Sequence, residues 1–221
     1  MTDPNAPILV LGGRADGHAR VAIETAQAAG LAVAGFLSDP PHADAISGVS
    51  WFGPMADWRR HAAAVRFHLG FGSTVGRRRW AEAILGGGGA LATVRHPAAT
   101  VFASAHVAAG AFVAAGAIVG PGASIGVATV VNHGAVLEHD TRVGRWALVG
   151  PGFACGGRVT LGDGVVAGAG SRVVPDATVA PWCWLGAGAV VASDTTPHGL
   201  YVGVPARRVR DLGTDAEPME P

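Results

Sequence analysis

The chain has 221 residues, of which 34 are glycine, and only 14% are charged against roughly 25% in an average soluble domain. Its 16 basic side chains, all arginine, balance 16 acids. The sequence therefore lacks the diffuse positive field that binding to nucleic acid or to an anionic membrane usually needs. Two cysteines, Cys155 and Cys183, and no recognisable secretory segment predict a cytoplasmic protein without disulfides.

Residues 8–95 alternate between strand and helix patterns. Strands are predicted at residues 8–13 and 31–39, and a strand followed by a turn at 65–73. Helices are predicted at 18–30 and 74–89, each ended by glycine. Such alternation predicts a small parallel sheet covered by helices.

A different pattern follows residue 100. Every sixth position from Val101 to Val191 holds an apolar side chain, sixteen times in succession, without insertion or deletion. The residue two positions earlier is usually small, and the residue immediately after the apolar one is often glycine, as at positions 120, 126, 144, 150, 156, 162, 168 and 186. Glycine, proline and polar residues also interrupt the long uncharged stretch 96–137, which excludes a membrane-spanning helix there.

A period of six fits neither an α-helix nor a two-faced strand, but it is typical of a β-solenoid that turns a corner every six residues. Three hexads make one coil, so residues 18 apart stack, and the repeat spans about five coils. In this interpretation the apolar residue points inward. The glycine after it is expected to supply turn conformations that a side chain would obstruct.

Four stretches resemble a known family: GGRADGHARV (12–21), GFLSD (35–39), NHGAVLEHDTRVG (132–144) and GLYVGVPARRV (199–209). With the hexads, they resemble the hexapeptide-repeat acyltransferases, in the group of sialic acid O-acetyltransferases and nucleotide-sugar N-acetyltransferases. The resemblance implies an α/β Rossmann-like nucleotide-sugar-binding domain over residues 1–97 and a left-handed parallel β-helix over 98–210 that ends in a CoA-binding tail. It also implies acetyl-CoA as co-substrate, no metal, and a homotrimer with active sites between subunits. Residues 211–221 are expected to form a mobile acidic tail.

His139 is the candidate catalytic base. It lies two positions after the inward Leu137, so its side chain is expected on the outer surface, where a substrate or a neighbouring subunit can reach it. An imidazole suits removal of a proton from an attacking amine near neutral pH. The resemblance places the catalytic base at His139 and an acid that orients its ring at Asp140. Leu148 departs from the family, because many relatives carry a second histidine there.

The turn over residues 12–18 is the candidate diphosphate site, because backbone N–H groups at the start of a helix can bind a diphosphate. Its glycine spacing is not G-x-G-x-x-G, so a tight turn without ligand is the alternative. By resemblance, binding of the nucleotide sugar is expected at Gly13, Gly17, His18, Asp39, Asn132 and Glu138.

Acyl transfer also needs hydrogen-bond donors for the oxyanion. Gly157 stacks over His139 by the 18-residue register, so the turn over 152–157 is the candidate. By resemblance, residues 203–208 close over CoA, and an arginine there meets a phosphate; a solvated arginine pair is the alternative. Binding of CoA is expected at Gly157, Gly168, Gly186, Pro205, Arg207 and Arg208. Trp182 and Trp184 are expected to point outward, packed between subunits or beneath this tail.

These features predict an acetyl-CoA-dependent N-acetyltransferase acting on a nucleotide-linked amino sugar, a 4-amino-4,6-dideoxyhexose. Two alternatives change only the function: O-acetylation of a hydroxyl, as in sialic acid, and a nucleotide-sugar sensor without turnover. A third is a metal-dependent left-handed β-helix resembling the γ-class carbonic anhydrases, with His106, His133 and His139 as ligands.

Overall fold

The computed structural model describes residues 3, 5–12, 17–40 and 44–213, which form an α/β domain followed by a β-helix. The elements of the α/β domain are β1 (Ile8–Leu11), α1 (His18–Ala28), β2 (Val33–Leu37), β3 (Ala45–Ile46), β4 (Val49–Gly53), a 3-10 turn (Met55–Asp57), α2 (Trp58–His61), β5 (Arg66–Leu69) and α3 (Thr74–Gly86). The strand order is β3-β4-β2-β1-β5, and β4, β2, β1 and β5 run parallel. This is the order of half a Rossmann fold.

Local sequence explains these elements. All four residues of β1 are buried, as expected for a strand between helix-covered faces. Ser73 caps the N-terminus of α3, since its Oγ accepts a hydrogen bond from Gly76 N at 3.0 Å, and α1 is followed by Gly30 in the left-handed region (φ 70°). The predicted strands and helices are confirmed with shorter ends. The β3–β4 hairpin and α2 were not predicted, because runs of two to five residues carry too little periodicity.

The β-helix consists of short strands. They are β6 (Val94–Arg95), β7 (Thr100–Val101), β8 (His106–Val107), β9 (Phe112–Val113), β10 (Ile118–Val119), β11 (Ser124–Ile125), β12 (Val130–Val131), β13 (Val136–Leu137), β14 (Arg142–Val143), β15 (Leu148–Val149), β16 (Ala154–Cys155), β17 (Thr160–Leu161), β18 (Val166–Ala167), β19 (Arg172–Val173), β20 (Thr178–Val179), β21 (Trp184–Leu185) and β22 (Val190–Val191). A terminal hairpin of β23 (Gly199–Val202) and β24 (Arg207–Asp211) follows.

These strands form three flat faces. Face 1 contains β7, β10, β13, β16, β19 and β22; face 2 contains β8, β11, β14, β17 and β20; face 3 contains β6, β9, β12, β15, β18 and β21, and the terminal hairpin extends it. Neighbours in a face are parallel and 18 residues apart, as where Leu137 pairs with Cys155, which confirms the predicted register. We name the three sets of corners edge 1–2, edge 2–3 and edge 3–1 after the faces they join.

The inward positions form one continuous apolar core, although Val101 and Val107 in the first coil are only partly buried. The glycine after each inward residue was expected to supply turn conformations, and this expectation was wrong. A Cβ on Gly126 would lie 2.5 Å from the carbonyl carbon of Gly144 in the next coil, and a Cβ on Gly150 would lie 2.5 Å from Ala167 O. These glycines therefore permit close stacking of coils. The left-handed backbone conformation falls two residues later, as at Gly134 (φ 65°).

Arg77 on α3 joins the α/β domain to the β-helix. Its buried guanidinium donates hydrogen bonds to Ala128 O (3.0 Å), Trp146 O (2.9 Å) and Ala147 O (3.0 Å) at edge 2–3, and to two carbonyls of its own domain. Burial lowers the pKa of Arg77 to about 9, so the side chain remains charged at neutral pH. The α/β domain is thereby fixed on face 3 and edge 2–3.

Trp182 lies partly exposed at edge 2–3 and packs with Trp146 against the α/β domain, and its expected contact with a neighbouring subunit or with the tail stays a prediction. Its ring stacks on Trp146 at a centroid distance of 6.4 Å, and the Arg78 guanidinium lies over both rings. Trp184 lies on β21 in face 3 and is partly exposed, paired in register with Leu200 of the terminal hairpin. Among the described residues, no helix has the length and apolar content needed to span a bilayer.

Candidate active site

His139 and Asp140 lie side by side on edge 1–2, at the corner between β13 and β14. Their side chains are 48% and 61% exposed, and His139 Nδ1 lies 2.9 Å from Asp140 Oδ2. A carboxylate only accepts hydrogen bonds, so Nδ1 carries the hydrogen and Nε2 of the neutral ring keeps a free lone pair. This is the tautomer that a general base acting through Nε2 needs.

Gly157 lies directly over the reactive side of this ring. A Cβ built on Gly157 would overlap His139 at Nε2 and Cε1, so glycine leaves the proton-accepting atom uncovered. The backbone conformation does not require glycine there, because Gly157 is not among the residues with positive φ. Its N–H has no acceptor among the described residues and is free to bind an oxyanion.

Asp140 is held from the preceding coil. Its N–H donates to Pro121 O at 2.9 Å, and its backbone adopts a left-handed conformation (φ 59°) that aspartate tolerates better than most residues. A Cβ on Gly122 would lie 2.5 Å from Asp140 Oδ1. The carboxylate therefore lies between Gly122 and the imidazole it orients.

Two other residues singled out in the sequence have different surroundings. Glu138 is exposed at the same corner as His139 and borders the candidate site. Leu148 lies on β15 in face 3, where it packs with Phe112 and Val130 against the α/β domain. No donor reaches His139 from position 148 within one subunit.

The residues expected to bind nucleotide sugar in the α/β domain meet at the carboxyl ends of β1 and β2. Gly12 N donates to Leu37 O at 2.8 Å, Gly17 precedes the first turn of α1, and His18 is its first residue. Asp39 is exposed two residues after the end of β2, and its Oδ1 accepts a hydrogen bond from Met55 N at 3.1 Å. Gly13 lies outside the described residues. Nucleotides bind Rossmann-type sheets in this crevice.

Two histidines lie near the carboxyl ends of β1 and β5, where the α/β domain packs against Phe112 of face 3. His18 packs edge-on against Phe112 at a centroid distance of 4.8 Å, and the His68 ring lies 5.8 Å from the same phenylalanine. Burial lowers the pKa of His18 to about 3 and that of His68 to about 4, so both are neutral at pH 7. The buried atoms His18 Nε2, His68 Nε2 and Ser38 Oγ have no partner among the described residues. Unused hydrogen-bonding groups of this kind suit a polar ligand.

The crevice and His139 lie on different sides of one subunit. The α/β domain covers face 3, and edge 1–2 is the corner opposite that face. Asn132 lies on edge 3–1, as do Gly168 and Gly186, whose small size is also explained by close stacking: a Cβ on Gly168 would lie 2.6 Å from Leu185 O. One subunit therefore does not bring the two halves of the expected site together.

The predicted CoA-binding tail is the terminal hairpin. A cis peptide bond links Val204 to Pro205 in its turn. Arg208 Nη2 donates to Asp211 Oδ2 at 3.1 Å and to Pro197 O at 3.3 Å, whereas the Arg207 side chain is exposed and donates to Ala206 O at 3.0 Å. Both guanidiniums lie at the surface, where a phosphate can reach them.

The metal alternative has no assembled ligand set in one subunit. His106 lies on face 2, His133 on edge 3–1 and His139 on edge 1–2. In the part of the chain that the structure describes, no three His, Cys, Asp or Glu side chains cluster as ligands.

A three-sided parallel β-helix with an exposed His–Asp pair, combined with a Rossmann-type crevice, has the parts that an acyltransferase with a nucleotide-linked acceptor would need. The chain is similar to perosamine N-acetyltransferase from Caulobacter crescentus, solved as a histidine-to-asparagine variant with CoA and GDP-perosamine (31% identity, 93% of this chain, 97% of that chain, TM-score 0.88). It is also similar to the acetyltransferase domain of PglB from Neisseria gonorrhoeae (27% identity, 92% and 100% of the two chains, TM-score 0.88). WeeI from Acinetobacter baumannii shares the fold at 19% identity (92% and 99% of the two chains, TM-score 0.76).

The chain belongs to the hexapeptide-repeat nucleotide-sugar N-acetyltransferases, whose β-helix is left-handed. The resemblance stated from the sequence is thereby confirmed, together with the fold class. No protein-family model and no curated protein matches the chain.

Sequence reasoning missed several residues near the site. Gly122 and Arg158 lie 18 residues before and after Asp140, so the 18-residue register could have found them. His68 and Arg77 stood in a strand and a helix pattern without any motif, and only tertiary packing shows that they are buried.

Proposed function

We propose that the chain transfers the acetyl group of acetyl-CoA to the amino group of a nucleotide-linked 4-amino-4,6-dideoxyhexose, with His139 as the general base. The observation that carries this proposal is the 2.9 Å hydrogen bond from His139 Nδ1 to Asp140 Oδ2, which leaves Nε2 free beside Gly157. The similarity to enzymes solved with CoA and GDP-perosamine supports the choice of substrates.

In the proposed reaction, the sugar amine attacks the thioester carbonyl carbon while His139 Nε2 takes a proton from the nitrogen. Asp140 stabilises the imidazolium that forms. The Gly157 N–H donates to the oxyanion of the tetrahedral intermediate, a role that Leu148 cannot fill. Collapse of the intermediate breaks the carbon–sulfur bond, and the proton on His139 passes to the departing CoA thiolate.

We infer a cytoplasmic homotrimer in which edge 1–2 of one subunit faces the nucleotide-sugar crevice of its neighbour. The opposite placement of the two half-sites in one subunit supports this arrangement. Phe102 on edge 1–2 and Ile118 on face 1 are 45% and 38% exposed, and such apolar surface is suited to a subunit contact. Two free cysteines are consistent with a reducing compartment.

In this assembly Gly13, Gly17 and His18 border the diphosphate, Asp39 the base or ribose, and Asn132 and the neighbour's Glu138 the sugar. Acetyl-CoA runs along the groove between subunits, past the neighbour's Gly157 on edge 1–2 and past Gly168 and Gly186 on edge 3–1 of the first subunit. Pro205, Arg207 and Arg208 in the terminal hairpin then cover its phosphates. These assignments are predictions that substitutions at each position can test.

The test is His139→Ala, assayed by release of CoA thiol from acetyl-CoA with GDP-, UDP- and dTDP-linked amino sugars. Loss of a general base should lower kcat about 10²–10⁴-fold while trimer formation and CoA binding persist. His106→Ala removes an exposed histidine from face 2 and serves as the matched control, with wild-type turnover expected. Near-normal turnover in His139→Ala would refute the assignment, and faster turnover with sialic acid than with any amino sugar would reassign the acceptor to a hydroxyl.

A further inference from the structure

Edge 1–2 carries a ladder of alternating charges beside the candidate base. Each corner consists of four residues, for example 138–141 between β13 and β14. In three successive coils the third of these four is Asp140, Arg158 and then Asp176, and all three adopt the left-handed conformation. Stacked coils are about 4.8 Å apart, so Arg158 stands between two carboxylates at similar distance along the edge. Arg158 N also donates to His139 O at 2.9 Å, which ties its corner to the catalytic one.

Arg158 has a choice of partner, and the structure shows which one it takes. Its guanidinium forms a two-pronged pair with Asp176, with Nε 2.6 Å from Oδ1 and Nη2 2.8 Å from Oδ2. Asp176 is the main cause that raises the pKa of Arg158, and Asp140 raises it further. The positive charge is therefore close enough to act on Asp140 while its hydrogen bonds go to Asp176.

A guanidinium bonded to Asp140 would compete with His139 for the same carboxylate. Paired forks between arginine and carboxylate are stronger than a hydrogen bond from a neutral imidazole. His139 would then lose the acceptor that keeps hydrogen on Nδ1, and Nε2 would no longer be reserved as the base.

We propose that Asp176 is a positioning residue for the His139–Asp140 pair, which it protects by holding Arg158 on its own carboxylate. This inference rests on the proposed function of His139 as a base. The charged groups around His139 are Glu138 and Asp140 at its own corner and Arg158 and Asp176 from the following coils; the corner of the preceding coil, residues 120–123, contains none.

The test compares four proteins: wild type, Asp176→Asn, Arg158→Gln and the double variant. The tautomer of His139 is read by nitrogen-15 NMR of the protein without substrate. In Asp176→Asn the Nδ1–H form should give way to the Nε2–H form, because Arg158 then takes the Asp140 carboxylate as its partner. In Arg158→Gln and in the double variant the Nδ1–H form should persist, because the competitor is absent.

Turnover provides the second measurement. Asp176→Asn should lower kcat about 10–100-fold with the KM for acetyl-CoA within twofold, and the added Arg158→Gln change should restore most of the loss. An unchanged tautomer in Asp176→Asn overturns the proposal, and so does a tenfold rise in the KM for acetyl-CoA that the double variant keeps, because Arg158 would then bind CoA. Because the NMR measurement needs no turnover, a change of tautomer in a protein inactive with every acceptor would refute the proposed function and leave the positioning role standing.

Discussion

Edges 1–2 and 2–3 of the β-helix use the same corner backbone for different purposes. On both, the third corner residue adopts a left-handed conformation in most coils, and on both it is often not glycine. Edge 1–2 places Asp140, Arg158 and Asp176 there, whereas edge 2–3 places Ala128, Trp146 and Trp182. On edge 3–1 the equivalent residues are glycines, at positions 116, 134, 152, 170 and 188.

The difference shows that the coil fixes the backbone conformation at the third corner residue, whereas the surroundings of each edge determine which side chain is found there. A left-handed conformation is unfavourable by about 1–2 kcal/mol for a residue with a Cβ, so side chains at these corners need a compensating contact or role. On edge 2–3 the compensation is packing, because Trp146 is buried beneath α3. On edge 1–2 the charged side chains remain exposed and pair with one another or with His139.

The largest expected effect comes from breaking edge 2–3 at Arg77. Arg77→Met removes a guanidinium that donates to five carbonyls and leaves two of them, Ala128 O and Trp146 O, buried without a partner among the described residues. The free energy of unfolding in urea should fall by about 3–5 kcal/mol. Arg79→Met, an exposed change on the same helix, should stay within about 0.5 kcal/mol of wild type. A loss below about 1 kcal/mol at Arg77 would mean that the two domains do not depend on this contact.

Gly157→Ala tests whether edge 1–2 is kept for chemistry. The added methyl overlaps His139 at Nε2, so the ring must move, and kcat should fall about 10²-fold with little change in unfolding. The same corner position already holds Ala115, Ala169 and Ala187 on edge 3–1, so alanine suits the backbone. Ala103→Gly, at this corner position in the first coil of edge 1–2, is the matched control and should keep wild-type kcat. Equal kcat in Gly157→Ala and wild type would show that the approach to Nε2 lies elsewhere.

The β-helix could be predicted from sequence because an apolar residue recurs at every sixth position. Each hexad packs its apolar residue into the core in the same way, so the signal is repeated along the chain. The β3–β4 hairpin could not, since two paired residues in β3 leave no periodic signal. The glycines were found, but their reason was misjudged: a letter pattern does not distinguish a residue that needs positive φ from one pressed against the next coil, as Gly126 is.

The candidate site also has parts that could be predicted from the sequence and parts that could not. His139 and Asp140 were predicted because a motif carries them, and the 18-residue register placed Gly157 above the ring. The opposite placement of His139 and the crevice followed only from which face the α/β domain covers. Arg77 fixes the α/β domain on the β-helix by donating hydrogen bonds to backbone carbonyl oxygens. Every residue has a carbonyl oxygen, so no sequence pattern could have predicted this contact.

The smallest expected effect concerns the pH dependence of stability and comes from His68, which is buried, in contrast to the exposed His139. The pKa of His68 is lowered to about 4 by burial, whereas in the unfolded chain it is about 6.5. Between pH 6.5 and pH 4, His68 therefore binds a proton in the unfolded chain but not in the folded protein. The free energy of unfolding falls as the pH drops through this window. Each such histidine contributes up to about 1.4 kcal/mol per pH unit over this window, and His18 should act in the same direction.

His68→Asn isolates the contribution of that ring, because an asparagine amide can still donate to Ala92 O, which lies 2.9 Å from His68 Nδ1. Urea unfolding between pH 7 and pH 4.5 should show a shallower loss of stability in this variant than in wild type, by about 1 kcal/mol per pH unit. His106→Asn changes an exposed histidine and should keep the wild-type slope. Identical slopes in all three proteins would mean that His68 gains a proton without unfolding, and hence that the crevice admits water to Nε2.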